Sequence, residues 1–285
     1  MHGTVVAAFG RQYLVDFDEG AQLICVPRGK KSEVACGDRV EVKQTAHDQG
    51  VIETILPRNT LLYRSDAFRQ KLIAANVTQL ILVVAGEPSF SDALLARCLV
   101  AARDQRLETL IVLNKCDLPS AEAARAQLEP YRAIGCRVLE LSAKSSAEAL
   151  RPYLQHQHSV LAGQSGMGKS TLINALLPEA QAATREISTV LDSGKHTTTH
   201  ARLYWLNRDS WLIDCPGVQA FGLHHLSFGE IEEGFSEFSA YLGQCRFHNC
   251  RHLHEPGCAL QQAAAAGKIH PRRLELFQEI TARPA

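Results

Sequence analysis

Up to about residue 56, apolar positions fall in short runs broken by Gly, Asp or Pro. Thr4-Val-Val6, Tyr13-Leu-Val-Asp-Phe17, Leu23-Ile-Cys-Val26, Arg39-Val-Glu-Val-Lys43 and Val51-Ile-Glu-Thr-Ile-Leu56 read as five strands. Turn signals at Asp18-Glu-Gly20 and Cys36-Gly-Asp38 separate them, and Pro57 ends the last. Five strands in so short a segment predict a small β-barrel. An OB-like barrel is the commonest solution, and an SH3-like barrel fits the same pattern.

From about residue 71 the rhythm changes to strand then helix. Leu80-Ile-Leu-Val-Val-Ala85 is unbroken apolar sequence, as a strand covered on both faces requires. Helical periodicity over Asp92–Gln105 leads to a second buried strand, Thr109–Asn114. A helix across 120–133 and a strand at Arg137-Val-Leu-Glu-Leu141 follow. Ser159-Val-Leu-Ala-Gly163 then runs into a helix at 169–177, and Trp211-Leu-Ile-Asp214 is a later strand. This alternation predicts an α/β domain with a mostly parallel sheet. Beyond about 228 the pattern is helical, interrupted by a Cys/His-rich knot. The expected division is a barrel over 1–60, a linker over 61–70, the α/β domain over 71–228 and a helical domain over 229–285.

Composition narrows the setting. The chain has 285 residues, enough for two or three cores, with Lys+Arg and Asp+Glu both 30. Contact with nucleic acid therefore has to come from local patches, not bulk charge. No apolar run approaches bilayer length, and the first residues lack a signal-peptide pattern, so a cytoplasmic protein with no membrane contact is expected. Nine cysteines is an odd number, and six of them, Cys25, Cys36, Cys98, Cys116, Cys136 and Cys215, are scattered through apparent strands and helices, which suits reduced thiols.

The candidate chemistry lies on loops. Gly163-Gln164-Ser165-Gly166-Met167-Gly168-Lys169-Ser170-Thr171 follows a strand and opens a helix. That is the setting of a P-loop, whose backbone N–H groups and helix N-terminus cradle phosphates. Lys169 would reach the β- and γ-phosphates, and Ser170 would ligate Mg²⁺. Asn114-Lys115-Cys116-Asp117 ends a buried strand, where ligands bind in such sheets. The Asp117 carboxylate can accept from both N1–H and the exocyclic amine of guanine, a donor pair adenine lacks. Ser142-Ala143-Lys144 supplies a second base-side loop, with a backbone N–H for the guanine oxygen. Asp214-Cys-Pro-Gly217 offers a carboxylate for Mg²⁺ through water and a Gly217 N–H for the γ-phosphate. Thr198, within Thr197-Thr-Thr199, is the candidate switch ligand of the metal, its two neighbours being alternatives.

The order is permuted: the base-reading loops precede the P-loop instead of following it. Cys245, Cys250 and Cys258 with His252 form a compact Cys₃His set suited to one structural Zn²⁺, with His248 and His254 as competing imidazoles.

This arrangement resembles the RsgA (YjeQ) family of circularly permuted GTPases, which act in small-ribosomal-subunit biogenesis. The resemblance spans nearly the whole chain. It is carried by Gly163-Gln-Ser-Gly-Met-Gly-Lys-Ser-Thr-Leu172, His196-Thr-Thr-Thr199 and Asp214-Cys-Pro-Gly-Val-Gln-Ala-Phe-Gly-Leu223. It implies an acid anhydride hydrolase converting GTP to GDP and phosphate. It also implies a monomer that binds the 30S subunit and its 16S rRNA late in assembly and is stimulated by that subunit. The family's zinc pattern falls on Cys245, Cys250, His252 and Cys258. Its catalytic histidine, in a Phe-Gly-Leu-Trp-His-Leu stretch, matches His225 of Phe221-Gly-Leu-His224-His225-Leu226; His224 stands in place of the tryptophan. Val218 occupies the position where many GTPases carry a water-orienting glutamine. Arg246, Arg251, Lys268, Arg272 and Arg273, with Arg28, Lys30 and Lys31 of the barrel, are the cations available for rRNA phosphates. A metabolic P-loop ATPase or kinase, and a nucleotide-gated RNA-binding module with negligible hydrolysis, are the alternative functions.

Overall fold

The computed structural model describes residues 1–17, 20–29, 33–65, 70–178, 201–215 and 223–282. The N-terminal strands are β1 (His2–Phe9), β2 (Gln12–Asp16), β3 (Gln22–Pro27), β4 (Arg39–Gln44) and β5 (Gln49–Ile55). They run in the order β1-β2-β3-β5-β4, and β4 pairs back onto β1 to close the barrel. The one parallel pair, β3 with β5, is the OB arrangement, which decides between the two barrels the pattern allowed. Alternation puts Val5, Val15, Cys25, Val40 and Val42 inside. The buried Asp38 carboxylate takes two bonds from the Arg58 guanidinium, at 2.7 and 2.8 Å, and one from the Ala35 N–H at 2.7 Å. A charge at zero exposure is tolerated there because it is paired and fully hydrogen-bonded.

Where a linker was expected over 61–70, β6 (Leu61–Ser65) forms an antiparallel hairpin with β7 (Gln70–Ala75). The apolar run Leu61-Leu62-Tyr63 is too short to announce a strand by itself; pairing with β7 and burial of Leu62 make it one. The main sheet contains β8 (Gln79–Ala85), β9 (Glu108–Asn114), β10 (Arg137–Glu140), β11 (His158–Ala162), β12 (Arg202–Asn207) and β13 (Ser210–Asp214). In the order β10-β9-β8-β11-β13 every pair is parallel, as the buried runs required. β12 adds an antiparallel edge beside β13 and meets β1 at Ala7 and Arg202, so barrel and α/β sheet are continuous.

The helices are α1 (Asp92–Asp104), α2 (Ala121–Ala133), α3 (Arg151–Leu154), α4 (Lys169–Leu176), α5 (Phe228–Gly234), α6 (Ala259–Ala265) and α7 (Pro271–Thr281). Ser91 caps α1 by accepting from the Leu94 N–H. α1 is buried nearly all round because the sheet covers one side while α5 and α7 pack on the other. Gly234 permits that approach: a Cβ there would stand 2.6 Å from Val100 Cγ1. The C-terminal core is a cluster of Phe235, Phe238 and Phe277, with ring centroids 4.9–5.5 Å apart. Arg272 fastens α7 to the start of α1 through two bonds to Asp92, at 2.8 and 3.1 Å.

Candidate nucleotide site and metal centre

The residues that follow β8, β9, β10 and β11 lie with Asp214, the end of β13, at one edge of the sheet, so the described motifs meet despite their permuted order. The P-loop needs its glycines for space as well as conformation. Gly163 has φ 147°, and a Cβ on it would lie 2.3 Å from the Val83 carbonyl oxygen. Gly168 has φ 93°, and its Cβ would lie 2.3 Å from Asn114 Nδ2. That second contact identifies what organises the site. The Asn114 side chain, 2% exposed, donates from Nδ2 to the Met167 carbonyl at 2.9 Å. Its Oδ1 accepts from the Ala143 N–H at 2.9 Å. One amide thus joins the phosphate loop to both base-side loops.

Within the P-loop, Lys169 Nζ donates to the carbonyls of Gly163 at 2.7 Å and Gln164 at 2.9 Å. Burial pulls its pKa down, opposed by the charge of Asp214. Burial likewise raises the Asp214 pKa, and the Lys169 ammonium pulls it back. The two are brought together by parallel pairing of β11 and β13, with Leu161 beside Asp214. Gln164 Oε1 accepts from the Ser91 N–H at 2.6 Å, tying the loop to α1. Met167 is fully buried, whereas Ser165, Gly166, Ser170 and Thr171 are exposed at the loop mouth.

On the base side, Lys115 adopts φ 62° and its Nζ donates to the Glu87 carbonyl at 2.7 Å. The exposed Asp117 carboxyl is held below its ordinary pKa, chiefly by the Ser142 hydroxyl and then its own backbone N–H, with Lys144 and Lys115 adding to the effect. The Ala143 N–H is already committed to Asn114; the Lys144 N–H has no acceptor among the described residues.

His225 is not brought to this edge. Its ring lies 4.4 Å from that of Tyr63, its buried Nδ1 has no hydrogen-bond partner among the described residues, and burial lowers its pKa. Asp104 and Glu230 are the carboxylates that oppose that shift, and Asp104 ends α1 at the edge opposite the P-loop. Gly217, Thr198, Val218, Lys30 and Lys31 lie outside the described residues.

The C-terminal cluster meets the demands of a tetrahedral metal. The ligand atoms of Cys245, Cys250, His252 and Cys258 all lie within 4.8 Å of one another. His252 Nδ1 stands 3.6 Å from Cys245 Sγ and 3.3 Å from Cys258 Sγ, and the two sulfurs are 4.0 Å apart. Zinc bonds of about 2.1 Å to nitrogen and 2.3 Å to sulfur give edges of about this length. The Ala259 N–H points at Cys245 Sγ at 3.3 Å, a contact that suits a thiolate. Glu232 of α5 binds His252 Nε2, which fixes the ring and directs Nδ1 to the cluster. Nothing in the ligand spacing signalled Glu232; its only cue is a carboxylate on the helix packed beside the knot. The cation patch expected around the knot is smaller than its sequence count. Arg272 is taken up by Asp92, Glu275 and Glu279, and Arg273 is buried against Glu237.

Comparison with known proteins agrees with this geometry. The RsgA GTPase family model matches residues 55–224. The small ribosomal subunit biogenesis GTPase RsgA of Nitrosospira multiformis is 56% identical, over 99% of this chain and 90% of the relative. Its counterpart in Burkholderia pseudomallei is 54% identical, over 98% of this chain and 90% of the relative. Among solved structures, YjeQ from Thermotoga maritima superposes with a TM-score of 0.73 at 31% identity, covering 99% of each chain. YloQ, described as a circularly permuted GTPase, gives 0.69 at 27% identity, covering 100% of this chain and 96% of the other.

Proposed function

The chain belongs to the RsgA GTPase family, and from that premise we propose that it hydrolyses GTP while bound to the 30S subunit late in its assembly. The observation that supports this most is the Asn114 amide, which holds the phosphate loop and the Ala143 loop in one site beside Asp117. In this reading Lys169 exchanges its loop carbonyls for the β- and γ-phosphates. Ser170 and Thr198 hold the accompanying Mg²⁺, Asp214 reaches it through water, and the Gly217 N–H meets the γ-phosphate. Asp117 reads the guanine N1–H and amine, and the Lys144 N–H is the donor left for its oxygen. The protein works as a cytoplasmic monomer built of a barrel over 1–60, a GTPase domain over 71–228 and a zinc domain over 229–285. Among the described residues no helix is long and apolar enough to cross a membrane.

His225 sits on Tyr63, away from the P-loop, so catalysis by it requires the 223–226 segment to move. Binding to the subunit is the event that would supply that movement. Measuring GTP turnover with and without purified 30S subunits tests the reading. Stimulation of about tenfold or more is expected in the wild type and its loss in His225→Ala. Absence of any stimulation in the wild type would overturn it.

One Zn²⁺ held by Cys245, Cys250, His252 and Cys258 would supply stability that a short polar knot lacks. Cys258→Ser, or prolonged chelation, is expected to release one zinc per chain and to lower the unfolding temperature of the C-terminal region. Metal content and circular dichroism read both; a variant that keeps its zinc and its melting curve would remove the structural role.

A further inference from the structure

A cleft of about 500 Å³ opens between the GTPase domain and the C-terminal helices, at the sheet edge opposite the P-loop. Its GTPase wall carries Arg103 from the last turn of α1, Arg106 just beyond it, and Thr109 at the start of β9. Its other wall carries Ser236 and Arg273. None of the residues lining it is acidic.

Arg273 is the unusual member. It is 2% exposed, and Glu237 binds Nε at 2.6 Å and Nη2 at 3.4 Å. Its carbon Cζ lies 4.5 Å from the Phe235 ring centroid and 5.0 Å from that of Tyr131. Nη1, however, is buried with no hydrogen-bond partner among the described residues. A buried guanidinium N–H without an acceptor is costly, and Arg273 is among the residues that line the cleft. Arg103 and Arg106 are exposed, and neither side chain has an ion-pair partner among the described residues. Glu237 balances Arg273 alone. Cys136 also lines the cleft, and burial raises its thiol pKa, so it contributes no negative charge. The cleft therefore holds two cations without ion-pair partners among the described residues and the Thr109 hydroxyl, whereas Ser236 Oγ already donates to Glu237 Oε2 at 3.5 Å.

We propose that this cleft is a second anion site, separate from the P-loop, which takes a small phosphorylated ligand between the GTPase and C-terminal domains. The exposed Arg103 and Arg106 guanidinium groups suit forked contacts to phosphate oxygens, with Thr109 as a hydroxyl donor. The volume falls in the range that encloses a small molecule.

The test is pyrophosphate titrated calorimetrically into the full chain saturated with GDP, which keeps the P-loop filled. The wild type is expected to bind it. The double variant Arg103→Gln/Arg106→Gln, and Arg106→Glu separately, are expected to bind at least about tenfold more weakly. Neither arginine side chain makes a hydrogen bond or ion pair among the described residues, so the unfolding temperatures of the variants should match the wild type. The proposal is overturned if the wild type takes up no pyrophosphate at millimolar concentration, or if the variants bind it equally well. It is also overturned if Arg103 and Arg106 govern only the binding of a short single-stranded RNA, which would make the cleft part of an RNA surface. Comparing variants at saturating GDP keeps this outcome distinct from any failure of stimulation by the 30S subunit.

Discussion

Lys169→Ala is expected to lower GTP turnover at saturating nucleotide by about a thousandfold, the scale for removing a principal charge stabiliser of the transition state. In the free protein the ammonium group is held by the Gly163 and Gln164 carbonyls at 2.7 and 2.9 Å. It is therefore already positioned inside the loop, and burial makes its charge more effective toward a phosphate than it would be in water. The substitution also leaves Asp214 without the ammonium that favours its ionised form. Single-turnover hydrolysis measured beside GDP affinity separates the effects. A large loss of hydrolysis with a smaller loss of affinity is expected, and unaltered turnover would remove Lys169 from the chemistry.

Asp117→Asn should change the base that is read. A carboxylate accepts two hydrogen bonds from guanine; an amide accepts one and offers a donor, which suits the second carbonyl of xanthine. Loss of a charged acceptor predicts GTP affinity lower by about a hundredfold, with XTP gaining. Asp117 is exposed in the free protein, so its substitution leaves the core intact and the melting temperature should hold. Competition between GTP, XTP and ATP measures the shift. Unchanged preference among the three would return the metabolic ATPase or kinase to consideration.

The strands of the parallel sheet were legible because both of their faces are covered, leaving unbroken apolar runs such as Leu80 to Ala85. The P-loop was legible because glycines at Gly163 and Gly168 are forced by local backbone and by close neighbours. The sequence said less wherever an element exists only through its partner. β12 alternates buried and exposed positions imperfectly, and it is a strand because β13 lies against it. The linking role of Asn114 was hidden for a similar reason. Its motif suggests base reading, whereas its hydrogen bonds reach Met167 and Ala143, neither adjacent in sequence. The arginines on α7 read as surface cations until Asp92, 180 residues away in sequence, is seen to bind Arg272.

The junction at Ala7 and Arg202 has a bearing on solubility. An uncovered edge strand presents unpaired N–H and C=O groups that invite another chain to add itself. At one end of the α/β sheet, β10 is bordered by charge: Arg137 pairs with Glu108, and Glu140 with Arg125 and Arg132. At the other end, β12 is capped by β1 and so by the barrel. Deleting the barrel would do more than remove a module. It would leave β12, with its exposed Trp205, as a free template for association with other chains.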